Sequence, residues 1–213
     1  MDKDLKSIQE VRDLLKEAKA AQEIYSTFSQ DKIDEIVKEI SLEAQKHEVE
    51  LAKLANEETG FGRWEDKVLK NRLAAVGVYE TIKDQKTVGI LTECKEKGLM
   101  EIGVPMGIIA ALIPSTNPTS TTIYKIMIAL KAGNGIVISP HPNAKECIIR
   151  TAEILINAAE RKGAPKGLIG VIKTPTLQAT NELMKHKDTS LILATGGEAM
   201  VKAAYSSGTP ALG

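Results

Sequence analysis

Aromatic side chains are scarce in these 213 residues, with two Phe, one Trp and four Tyr. That is too few for the stacked platforms on which proteins hold single-stranded nucleic acid. Net charge is absent as well: 28 Lys and Arg balance 28 Asp and Glu. The basic field that draws nucleic acid or anionic lipid to a surface is therefore missing, and neither partner is expected. Only two cysteines occur, Cys94 and Cys147, which cannot form a disulfide framework in a chain this long. No charged and then apolar leader opens the sequence, because Met1 to Glu10 already carries five charges; a reducing, cytoplasmic setting is the expectation. The one long uncharged stretch, Ile102 to Tyr124, is interrupted by Pro105, Pro114, Pro118 and the polar run Ser115-Thr116-Asn117, which argues against a membrane helix. What remains, 43% apolar and 26% charged, is a globular composition with enough length for one good-sized core or two small domains.

Charge is unevenly spread. Residues 1 to 100 carry 38 charged side chains and residues 101 to 213 carry 18, so a solvated helical half precedes a drier one. In the first half Ile8, Val11 and Leu15 recur at helical spacing. So do Ile33, Ile36, Val37, Ile40 and Ala44, behind a cap at Ser29 or Asp31. A further helix is expected from Gly62 to Lys83 on a stripe of Leu69, Leu73 and Val76. Two strand-like pieces, Thr87 to Glu93 and Met100 to Val104, flank a charged turn at Lys95 to Gly98 and predict a hairpin.

From Gly107 the rhythm changes. Apolar runs at Gly107 to Ile113, Gly135 to Ser139, Leu168 to Ile172 and Ser190 to Ala194 alternate with helix-length segments at Thr119 to Lys131, Asn143 to Lys162, Thr176 to His186 and Glu198 to Ser206. Strands apolar throughout are buried on both faces, the mark of a parallel sheet covered by helices. The fold expected is a doubly wound α/β sheet of Rossmann-like type preceded by a helical segment. The helical segment from Asn143 shows its core face in Ile148, Ala152, Leu155 and Ala159.

Ligands of open parallel sheets bind beyond the carboxyl ends of the strands. The loops to inspect are Pro114 to Pro118, Pro140 to Pro142, Lys173 to Pro175 and Thr195 to Gly197. At the last, Gly196 and Gly197 stand between a strand and a helix, where bare backbone and a helix amino terminus suit a phosphate; a plain tight turn gives the same letters. Asn117 offers an amide donor of the kind that stabilises an oxyanion, yet Asn before Pro is also ordinary turn chemistry. His141 lies between two prolines with no carboxylate or second histidine near it in sequence, so neither a metal site nor a triad is indicated. His47 and His186 are expected at the solvated surface. Cys147 begins an apolar helix face and Cys94 sits in the charged hairpin, and neither has an adjacent base to activate it.

Taken together, several blocks resemble the CoA-acylating aldehyde dehydrogenases. They are Glu57-Glu-Thr-Gly60, Glu65-Asp-Lys67 with Lys70-Asn71, Pro114-Ser-Thr-Asn-Pro-Thr-Ser120, Ser139-Pro-His-Pro-Asn-Ala-Lys145, Gly163-Ala-Pro165, and Leu193-Ala-Thr-Gly-Gly197 running on to Val201 through Gly208. The pattern is similar to the aldehyde dehydrogenase half of bifunctional aldehyde-alcohol dehydrogenases and to acylating relatives acting on acetaldehyde or succinate semialdehyde. The resemblance implies attack of a cysteine thiolate on a short-chain aldehyde, hydride transfer to a nicotinamide cofactor, and release of acyl-CoA with coenzyme A as co-substrate. It implies Asn117 as oxyanion donor, and Thr116, Ser139, His141, Gly196, Gly197 and Met200 around the dinucleotide. General aldehyde dehydrogenases have Lys where Ser139 stands and often Glu where Pro142 stands. NAD is the expected cofactor, and since the missing carboxylate removes the like-charge objection to a 2′-phosphate, NADP is not excluded.

The resemblance also divides the chain into N-terminal helices over 1–85, a hairpin of the oligomerisation region over 86–104 and a Rossmann-like dinucleotide-binding domain over 105–213. The family's catalytic cysteine matches neither Cys94 nor Cys147. The sequence thus reads as a truncated, N-terminal part from which the catalytic domain is absent, inactive by itself. The parent is expected to be a homo-oligomer, cytoplasmic or in a bacterial microcompartment. A noncatalytic nucleotide-binding or assembly module of the same fold is the alternative.

Overall fold

The computed structural model describes residues 2–213. Its first half holds helices α1 (Lys3–Tyr25), α2 (Gln30–Lys46), α3 (Glu48–Thr59) and α4 (Trp64–Arg72). The last continues through a π-helical turn, Leu73–Gly77, into α5 (Val78–Ile82). Helix α2 begins where the Ser29 side chain accepts a hydrogen bond from the Lys32 N–H, and its expected stripe from Ile33 to Ala44 is buried. The cap satisfies one of the donors that every helix start leaves free. Strands β1 (Gly89–Cys94) and β2 (Leu99–Gly103) pair antiparallel as the expected hairpin, which turns through Gly98 in the left-handed conformation.

The second half runs β3 (Ile108–Ile113), α6 (Pro118–Lys131), β4 (Gly135–Pro140), α7 (Lys145–Arg161), β5 (Ile169–Val171), α8 (Leu177–Lys185), β6 (Thr189–Ala194), α9 (Glu198–Tyr205) and β7 (Ala211–Leu212). All pairings in its sheet are parallel, and the strand order is β5-β4-β3-β6-β7. Every residue of β3 and β4 is buried, as expected of strands covered on both sides. Alternation then assigns the faces. Ile109, Ala111 and Ile113 pack with residues of α2, α3, α6 and α7, whereas Ile108, Ala110 and Leu112 pack with residues of α1, α8 and α9. Gly107, entering β3 at φ +123°, holds a backbone conformation that strains other residues, and a Cβ there would also displace the Ser190 hydroxyl.

The chain winds outward from β3 through β4 to β5, then crosses back to β6 on the other side of β3. Helix α6 therefore leaves β3 toward one face while α9 leaves β6 toward the other. The strand order reverses there, and a crevice opens between the two departing loops.

Some sequence expectations fail locally. Helix α3 and strand β7 lie outside the elements expected: the buried face of α3 includes two alanines beside Leu51, and β7 is two residues long, so both give little periodic signal. The stripe expected on α4 is wrong. Leu69 and Leu73 are 62% and 67% exposed, and the buried residues are Lys67, Asn71, Ala74 and Ala75. Two polar side chains face inward because each finds hydrogen-bond partners there, and the π turn carries the alanines onto α6. His47 and His186 are half-buried rather than freely solvated; His47 lies against Glu43 and Glu50, and His186 against Asp188. The uncharged stretch 102–124 is divided among β2, β3, a loop and α6, and no helix among the described residues is long and apolar enough to cross a membrane.

Ile109 lies in the central strand and is 2% exposed. Ile109→Ala is expected to destabilise the fold by about 2–5 kcal/mol, read as a lower urea midpoint at unchanged slope.

Candidate functional site

The crevice is a cleft of about 630 Å³. Three of the four strand-end loops named from the sequence line it, and they bring Thr116, Asn117, Ser139, His141, Gly196, Gly197 and Met200 together. The fourth, Lys173 to Pro175, stands apart from the cleft. There the Glu10 carboxylate of α1 accepts the Lys173 and Thr174 N–H groups, so that loop has no free donors to offer at those positions. Among the described residues no Asp, Glu, Lys or Arg lines the cleft.

Asn117 occupies the cap position of α6, but its side chain makes no capping hydrogen bond. The turn-chemistry reading of Asn before Pro thus does not describe this amide. Instead its Oδ1 accepts from the Lys70 ammonium at 2.8 Å. Next to it the Thr116 carbonyl accepts from Lys67 Nζ at 2.9 Å, and Asn71 Oδ1 accepts from the Thr119 hydroxyl at 2.8 Å. One face of α4 therefore grips the turn from β3 into α6. Burial, and secondarily the like charge of Lys70, pushes the Lys67 ammonium below the usual lysine range.

Across the cleft, Gly197 caps α9 without any side-chain hydrogen bond, so the first N–H groups of that helix meet no side-chain oxygen of their own cap. Both glycines have ordinary negative φ, and a Cβ on Gly197 would have nothing within 4 Å. Protein geometry does not require glycine at this position. The bareness leaves room for a ligand to touch backbone, which suits the pyrophosphate of a dinucleotide. Ser139 is buried with its hydroxyl bonded to that of Thr180 at 2.9 Å, so it forms wall. His141 is exposed, and its Nδ1 accepts the Asn143 N–H at 3.1 Å, which leaves Nε2 as the ring's donor when neutral.

Under the cleft floor lies a group that sequence reasoning missed. Lys125 of α6 is 1% exposed, and its Nζ donates to the Leu112 carbonyl at 2.8 Å and the Leu193 carbonyl at 2.7 Å. Its signal was legible as the lone charge from Pro118 to Leu130. Burial lowers its pKa to about 7. Neither cysteine lines the cleft. The Cys147 thiol is buried, and that burial, reinforced by the Glu58 carboxylate, pushes it above the usual thiol range. Among the described residues no group of three or more His, Cys, Asp or Glu is placed to hold a metal ion.

The model of the aldehyde dehydrogenase family matches residues 4–212. The chain belongs to that family. Among solved relatives, a probable aldehyde dehydrogenase from Listeria monocytogenes EGD-e is 59% identical, with a TM-score of 0.99 over 100% of this chain and 47% of its own. An acetylating aldehyde dehydrogenase from Geobacillus thermoglucosidasius is 58% identical, with a TM-score of 0.98 and the same coverage. The bifunctional aldehyde-alcohol dehydrogenase AdhE of Escherichia coli K12 is 47% identical over 97% of this chain and 23% of its own length. The chain thus spans about half of each of these solved aldehyde dehydrogenases and about a quarter of the bifunctional enzyme.

A pH dependence arises from Lys125. Its pKa is about 7 in the fold and about 10.4 in an unfolded chain. Between those values the unfolded state holds a proton that the folded state has released, so this group adds stability as pH rises. The gap in unfolding free energy between wild type and Lys125→Met is expected to shift in favour of wild type from about pH 7 to about pH 9, measured by denaturant titration at both values.

Proposed function

We propose that this chain is the cofactor-binding portion of an NAD(P)-dependent, CoA-acylating aldehyde dehydrogenase that converts a short-chain aldehyde to acyl-CoA. The observation that carries the reading is that Asn117, its amide released from capping duty, shares one cleft with the bare Gly196-Gly197 turn at the point where the strand order reverses. Family membership and the acetylating activity named for the Geobacillus relative support it.

In this reading the α9 amino terminus and Gly197 receive the pyrophosphate of NAD or NADP, with Thr116, Ser139, His141, Gly196 and Met200 around the rest of the dinucleotide. The uncharged lining sets no carboxylate against a 2′-phosphate, so both cofactors fit. When bound, the nicotinamide accepts the hydride from the aldehyde carbon. In this reading the attacking thiolate comes from outside these residues, since Cys147 is buried with its thiol pushed toward the protonated form and Cys94 does not line the cleft. As the thiolate adds to the aldehyde, negative charge gathers on the former carbonyl oxygen. Asn117 Nδ2 donates to that oxygen, a bond that strengthens only as the charge develops. Loss of hydride restores the carbonyl as an enzyme thioester, and the thiol of coenzyme A displaces the enzyme thiolate to give acyl-CoA.

The 86–104 hairpin exposes Ile90, Leu99, Met100 and Ile102, and this reading assigns it to contact between subunits of a cytoplasmic homo-oligomer. Two outcomes test the proposal. Asn117→Ala in the full-length enzyme is expected to lower kcat about a hundredfold, the size of one lost oxyanion donor; an unchanged kcat would remove Asn117 from the chemistry. The 213 residues alone are expected to reduce no NAD in the presence of acetaldehyde and coenzyme A. Turnover abolished by changing Cys94 or Cys147 would place the nucleophile within this chain and refute its assignment elsewhere.

A further inference from the structure

We propose that Lys70 is a positioning residue whose ammonium sets the orientation of the Asn117 amide and presents Nδ2 to the reacting oxygen. The inference rests on the reading of Asn117 as oxyanion donor and goes one residue further.

Asn and Gln amides can sit in either of two flips, and local hydrogen bonds decide between them. An ammonium group has three donors and no acceptor, so the group 2.8 Å from Lys70 Nζ must be the carbonyl oxygen of Asn117. The reverse flip would press NH2 against a cation. Among the described residues nothing else fixes this amide: it makes no cap bond to α6, and the residue after it is Pro118, which has no N–H to offer.

The same side of α4 shows that Lys70 is not needed to shape the turn. Lys67 holds the Thr116 carbonyl and Asn71 holds the Thr119 hydroxyl, so a residue on each side of Asn117 is already tied to α4. Lys70 itself is exposed, and Asn117 Oδ1 is its hydrogen-bond partner among the described residues. Its contact acts on the side chain alone. A cation on Oδ1 also draws electron density through the conjugated amide, which makes Nδ2 a stronger donor to an oxyanion. Lys70, Lys67, Thr116 and Asn117 further share a small hollow of about 220 Å³ with Arg63 and Asp66. Three basic side chains against one carboxylate line it, so its balance beside Asn117 is positive.

The test is a kinetic double-mutant cycle in the full-length enzyme carrying this chain, with Lys70→Met, Asn117→Ala and the double variant. Lys70→Met is expected to lower kcat about tenfold, the scale of one charge-assisted hydrogen bond, with KM for NAD within about twofold of wild type. The double variant should be no slower than Asn117→Ala, and Lys70→Arg, which keeps a cationic donor, should recover most of the rate. Wild-type kcat in Lys70→Met beside a slowed Asn117→Ala would overturn the proposal and leave the oxyanion reading intact. So would an equal additional loss when Lys70→Met is placed in the Asn117→Ala background. Full activity of Asn117→Ala would overturn both.

Discussion

The carboxyl ends of β3 and β6 stay paired, with the Thr195 N–H donating to the Leu112 carbonyl, and one buried lysine side chain adds a second tie across them. Lys125 bonds the last turns of β3 and β6 together through Leu112 and Leu193. A buried amino group needs partners for its N–H donors, and these two carbonyls supply them. The Asn117 turn and the Gly196-Gly197 turn follow directly on these two strand ends, at the reversal of strand order. Ser139 and His141 join them from the end of β4.

Among the described residues no Asp, Glu, Lys or Arg lines the cleft. Lysines stand one layer behind it, with Lys67 and Lys70 on α4 and Lys125 on α6. Such an arrangement lets fixed dipoles and amides face the ligand while full charges act through them, so the groups in contact need not be desolvated as ions. The helical first half is thereby more than a cover for the sheet: α4 supplies two of the three lysines, and the carboxylate of Glu58 on α3 accepts the first N–H groups of α7.

Much of this was legible in the sequence. Unbroken apolar runs identified the buried strands, and Gly or Pro at their ends located the loops, so the residues of the cleft could be named before their distances were known. The resemblance to acylating aldehyde dehydrogenases drew the same loops together. Long-range polar pairings could not be read in this way. Periodicity placed Leu69 and Leu73 inside because it scores apolarity, whereas Lys67 and Asn71 go inside to meet partners 49 and 48 positions away. Glu10 on the β5 loop is a similar case, since a carboxylate in the first helix gives no hint that it will consume the donors of a loop far along the chain. Strand β7 is simply too short to leave a pattern.

The π turn at Leu73–Gly77 bears on how insertions and deletions would be felt. A wider turn accommodates one residue beyond the α-helical count, and each residue added to or removed from a helix rotates the chain beyond it by about 100°. Upstream lie the lysines that reach the Asn117 turn; downstream lie α5 and the ribbon of β1 and β2. The widened turn acts as a phase adjuster between these parts. Shortening it by a single residue would leave the lysines where they are and turn α5 about its axis, while Gln30 still holds the ribbon's entry at Thr87 and Val88, so the misfit would fall on the short segment between them.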